Sequence, residues 1–133
     1  MSEDPILLGS TAGSDARLQL SVQQQYELVE VEDPDRGPWK VATRAYRYEL
    51  SDSQGRELAG WHWHPSGSSP WRQPHLHLRG GRFGECHLPT GRVSLEAVLR
   101  LLLAELDVRP LRDDWLAVLD EAEAVFREWR TWA

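Results

Sequence analysis

The sequence predicts an α+β fold, a mostly antiparallel sheet of about four to six strands followed by two C-terminal helices packed on one face. Three observations predict it. Short runs of alternating apolar and polar residues fill the first two thirds of the chain. Turn-forming clusters separate those runs at short intervals. After Ser94 the apolar residues change to helical spacing. Seven tryptophans in 133 residues supply large rings for a small core.

Residues 1–15 are acidic and rich in Ser and Gly, and read as a disordered tail ahead of a single α+β domain over 16–133. Arg17 to Val22 alternates strictly and reads as a strand. A second strand is expected over Tyr26–Glu32, after a short turn at Gln23–Gln25. The run from Asp33 to Pro38 is a strong loop signal. Residues 39–51 and 56–64 read as a hairpin around Asp52-Ser53-Gln54-Gly55.

If that turn is tight, Ser51 faces Arg56, Tyr48 faces Ala59, Tyr46 faces Trp61 and Arg44 faces Trp63. That face is aromatic and should be the core. The opposite face then carries His62 and His64 with Arg47 and Glu49. A slip of one residue would exchange the faces. His75 to Arg79 reads as a strand with Leu76 and Leu78 inward and His75, His77 and Arg79 outward, ended by Gly80-Gly81. Residues 83–88 are a candidate further strand.

Ser94 is the expected N-cap of the first helix, with Glu96 in its first turn and Leu95, Val98, Leu99, Leu102 and Leu106 on one stripe. Asp107–Leu111 connects to a second helix capped by Asp113 or Asp114. Its stripe is Trp115, Leu119, Ala122, Phe126 and Trp129.

The net charge of −6 is unevenly distributed. Residues 36–92 hold nine Lys/Arg against four Asp/Glu, and they contain all five histidines. Such a basic stretch is either an anion site or the counter-charge to the acidic remainder. The lone Cys86 excludes an internal disulfide framework and suits a reducing compartment. Without an apolar run long enough to span a bilayer, and without a signal-peptide pattern, the expected location is cytoplasmic, with no membrane partner.

Four histidines fall in two H-x-H steps, His62-Trp63-His64 and His75-Leu76-His77. On a strand, residues two apart share a side, so each step aims two imidazoles at one face. Two chemistries need such a face. One is a metal site, with His62, His64, His75 and His77 holding zinc or another transition metal, and Cys86 and His87 as further ligands. The other is metal-free acid–base cleavage of a phosphodiester, with the same four histidines catalytic and Arg47, Arg79 and Arg92 binding the anion. RNA suits the second chemistry because its 2′-hydroxyl supplies the nucleophile, and Trp61, Trp63 and Trp71 could stack bases, although the register above sends the first two to the core. The plain alternative is that the histidines are satisfied by packing alone. Cys86 reads most simply as a small buried residue.

His75-Leu76-His77-Leu78 resembles the opening of the histidine-triad nucleotide hydrolase motif, but Arg79 stands where the third histidine would be. Trp61-His62-Trp63-His64-Pro65, Pro74-His75-Leu76-His77-Leu78 and His87-Leu88-Pro89-Thr90-Gly91-Arg92 together resemble small His-rich bacterial proteins of the toxin–antitoxin type. That resemblance, over about residues 45–133, implies a toxin-like protein acting on RNA, with a neutralising antitoxin as partner. A non-enzymatic metal-binding or partner-binding domain is the other expectation.

Overall fold

The computed structural model describes residues 4–11, 17–33 and 35–130. Six antiparallel strands follow in chain order: β1 Ile6–Leu8, β2 Leu18–Glu30, β3 Trp39–Ser51, β4 Glu57–Trp63, β5 His75–Leu78 and β6 Leu88–Pro89. Two helices close the chain, α1 Leu95–Glu105 and α2 Trp115–Trp129. Every strand neighbours the next in sequence, so the sheet is a meander with no crossovers. The predicted α+β class is what forms.

In the strands and their connections the sequence reading differs from the structure at four places. First, Ile6–Leu8 pairs with Leu18–Leu20 as an edge strand, so the tail expected over 1–15 does not hold there. Leu8 packs on the core and repays that ordering. Residues 1–3 and 12–16 of that tail lie outside the described residues. Second, no turn forms at Gln23–Gln25, and β2 pairs with β3 along its length. Glutamine supplies neither a positive φ nor a rigid ring, and the irregularity is absorbed as a bulge between Gln25 and Tyr26.

Third, the β3–β4 pairing is offset by two residues from the tight-turn register: Tyr48 faces Trp61, Tyr46 faces Trp63 and Arg47 faces His62. The turn takes five residues, with the Asp52 N–H donating to the Arg56 carbonyl at 2.9 Å and Gly55 at a φ of +75°. Asp52 Oδ1 accepts from the N–H groups of Gln54 and Arg56, which holds its carboxyl below the usual carboxylate range. Leu58 then bulges, since Leu50 faces Ala59 while Ser51 faces Glu57. An even offset preserves the faces, so the aromatic side is still the core. Fourth, residues 83–88 are not a strand. Gly80 and Gly81 take positive φ, a short 3-10 turn follows over Gly81–Phe83, and only Leu88–Pro89 pairs with β5.

The core joins Leu20, Tyr46, Tyr48, Leu50, Trp61 and Trp63 of one sheet face to Val98 and Leu102 of α1. Tyr46 and Tyr48 stack at 4.8 Å between ring centroids, and the Tyr46 hydroxyl accepts from the Val93 N–H at 2.9 Å. Burial raises both phenol pKa values. The Ser94 hydroxyl caps α1 by accepting from Ala97 N–H at 3.2 Å. Leu106 falls just past the last turn and is exposed. Asp114 precedes α2 without capping it, because its carboxylate is taken by Arg112 at 2.5 Å. The α2 stripe faces inward, with Leu119 buried. Arg100 ties the helices by bonding Asp120 at 2.7 Å and Glu123 at 3.1 Å. The helices cover one side of the sheet; the histidines lie on the other.

Candidate metal centre

Two strands and two loops build the site. The pleat of β4 sends Ala59, Trp61 and Trp63 to the core, so Gly60 and His62 point away, and His64 follows just beyond the strand. On β5, Leu76 packs on the core and His75 and His77 point away. The register sets His62 directly opposite His75 and Gly60 opposite His77. The predicted pair of H-x-H steps therefore does lie on neighbouring strands, on one face.

The rings are close. Ring centroids lie 5.6 Å apart for His62 and His75, 4.7 Å for His62 and His77, 5.4 Å for His64 and His75, and 4.9 Å for His75 and His77. His87, just ahead of β6, joins them at 5.0 Å from His75 and 4.5 Å from His77. Trp71 stacks on its outer side at 4.7 Å. All five histidines thus form one cluster, and His87, expected only as an extra ligand, is a full member.

His75 is the centre of the cluster, with 3% of its surface exposed. Its Nδ1 lies 2.7 Å from the Gln73 carbonyl oxygen, which can only accept. Nδ1 therefore carries the proton, and Nε2 keeps a free lone pair. A backbone carbonyl fixing the far nitrogen is the usual support of a metal-ligating imidazole. His62 Nε2 is buried without a hydrogen-bond partner and stands 3.4 Å from Glu49 Oε1.

Burial, with the neighbouring histidines and Arg47, pushes the His62 pKa down to about 3. His77 and His87 are lowered too, by burial first and by neighbouring histidines next. These three imidazoles are held neutral at pH 7, the form that binds metal.

Two imidazole triads bring their nitrogens within 4.8 Å of one another: His62, His64 and His75, and His75, His77 and His87. A tetrahedral zinc spaces its nitrogens by about 3.3 Å, so small side-chain rotations close either set on an ion. A third group, Glu49, Glu57 and His62, meets the same distance. Glu49 lies on this face as the hairpin reading expects, whereas Glu57 was missed. Glu57 faces this way only because Leu58 bulges, a local event that spacing along the chain does not report.

The other expected residues disperse. Arg47 stays on the face, paired with Glu49 at 2.6 Å, and Arg79 shares a cleft of about 230 Å³ with Glu57, His77 and Gly84. Arg92 does not join them: its guanidinium lies 3.5 Å from the centre of the Trp63 ring, on the core side of the sheet. Trp61 and Trp63 are buried in the core and cannot stack bases. Cys86 is exposed rather than buried, lies 3.8 Å from the Arg82 carbonyl and belongs to none of the ligand groups.

No family model, no curated protein and no solved structure matches the chain. The resemblance to toxin components thus stands on the quoted motifs alone. Among the described residues, no helix is long and apolar enough to cross a membrane.

Proposed function

We propose that the protein binds a divalent transition-metal ion of the zinc class on its histidine face, with His75 as the central ligand. The observation that carries this reading is the buried His75, oriented by the Gln73 carbonyl with Nε2 left for an ion. Three imidazoles with a fourth position open is the donor set of a catalytic zinc rather than a closed structural one. Metal-free acid–base cleavage loses His62 as its acid, because an imidazole with a pKa of about 3 carries no proton to donate at neutral pH.

Hydrolysis of a phosphodiester, RNA included, is the second reading. It is favoured by Arg79 and His77 together in the cleft beside the imidazoles, where a phosphate would meet both a guanidinium and a bound metal. The toxin role and a neutralising antitoxin rest on the sequence resemblance, and a cytoplasmic location on the single cysteine.

Chelator-treated protein should take up zinc and gain about 3 kcal/mol of stability at a free ion concentration a hundredfold above Kd. His77→Ala/His87→Ala should weaken that gain. Equal stability with and without zinc would overturn the reading.

A further inference from the structure

The three candidate ligand groups are not independent. His75 offers only Nε2, since Nδ1 is committed to Gln73, so the two imidazole triads cannot both be filled. The triad His62, His64 and His75 also competes with the carboxylate group for His62. One combination shares nothing: His75, His77 and His87 for one ion, and Glu49, Glu57 and His62 for another.

Three features shape the second group for a cation. His62 Nε2 is a buried polar atom with no hydrogen-bond partner, 3.4 Å from Glu49 Oε1. Glu57 Oε1 and His62 Nε2 converge over Gly60, at 2.6 Å and 2.9 Å from where a Cβ would stand, so only glycine leaves that space open. The Leu58 bulge turns a second carboxylate, Glu57, onto the face already holding Glu49.

We propose that the histidine face is a two-ion centre, in which Glu49, Glu57 and His62 hold a second divalent cation beside the ion on His75, His77 and His87. This rests on the metal-binding reading above for its first ion. The second site has two carboxylates and one imidazole, so it accepts harder ions, manganese among them, than a three-imidazole site does. Arg47 is the resident counter-charge. It is half exposed, pairs with Glu49 at 2.6 Å, and must give up that pair when the cation enters. Arg79, which also acts on Glu57, opposes the ion more weakly from the cleft.

The experiment is a count of zinc equivalents on the chelator-treated full chain, with manganese titrated separately. Wild type should take two zinc ions. Glu57→Gln and Gly60→Ala should each keep one zinc and lose manganese binding. Arg47→Ala should bind manganese more tightly, an effect that a purely structural carboxylate pair would not produce. His77→Ala/His87→Ala should also drop to one zinc while keeping manganese. One zinc in wild type, unchanged in Glu57→Gln, overturns the second site and leaves the imidazole site standing. One zinc lost in Glu57→Gln but kept in His77→Ala/His87→Ala does the reverse. No zinc in wild type overturns both.

Discussion

Acid should destabilise the metal-free protein through His62. Its imidazole has an ordinary pKa of 6.5 when unfolded and about 3 when folded, mainly because burial strips water from the charged form. A depressed base binds its proton more readily in the unfolded chain, so stability is fully present above pH 6.5 and falls as the pH drops toward 3. At pH 5.0 the unfolded chain is already protonated there and the folded one is not. The loss relative to pH 7.5 is about 2 kcal/mol, at about 1.4 kcal/mol for each pH unit below 6.5. The full window is worth at most about 5 kcal/mol, a large share of a small domain's stability.

Urea unfolding in the presence of chelator reads this directly, because about 2 kcal/mol moves the midpoint by about 1 M at a typical slope. The comparison is wild type against His62→Gln, at pH 7.5 and at pH 5.0. His77 and His87, also lowered, contribute to both proteins. Asp52 and Asp114, with lowered pKa values, lose their contribution only at more acid pH. Wild type should lose about 2 kcal/mol more than the variant. Equal losses would refute the argument that His62 is held neutral by its surroundings.

Other outcomes follow from the same geometry. Zinc binding should persist below the pH at which free histidine protonates, because His62, His77 and His87 compete weakly for protons; a fall centred at pH 6.5 in a zinc titration would contradict this. Leu102→Ala, which empties a site 1% exposed in the core, should cost about 2–5 kcal/mol in urea unfolding while zinc binding survives at moderate temperature. Ser94→Ala should cost about 1 kcal/mol by removing the cap on Ala97 N–H, measured the same way. Arg92→Ala should leave zinc binding unchanged, since Arg92 lies on the core side over Trp63.

The fold class was legible because it rests on period. Alternation in β3, β4 and β5 and the helical stripes of α1 and α2 follow directly from which side of each element meets Leu20, Tyr48 and Leu102. The face of the histidines was legible for the same reason, and it survived a register offset because the offset was even. What was hidden is local and irregular. The Leu58 bulge, the five-residue turn at Asp52 and the coil that delivers His87 depend on hydrogen bonds between residues far from any repeating pattern. Those irregularities turn Glu57 onto the histidine face and seat His87 as a full member of the cluster, so Glu57 and the place of His87 were the parts the sequence concealed. Arg92 was misplaced because charge along the chain carries no side; the ring of Trp63 draws its guanidinium to the core face.

X-ray absorption at the zinc edge, on full-length protein loaded with less than one equivalent, bears most directly on the central claim. The account predicts about three imidazole nitrogens at about 2.0–2.1 Å, with the outer-shell scattering of the rings, and loss of that signature in His75→Ala. A shell of oxygens without imidazole scattering, or the same spectrum from His75→Ala, would contradict it.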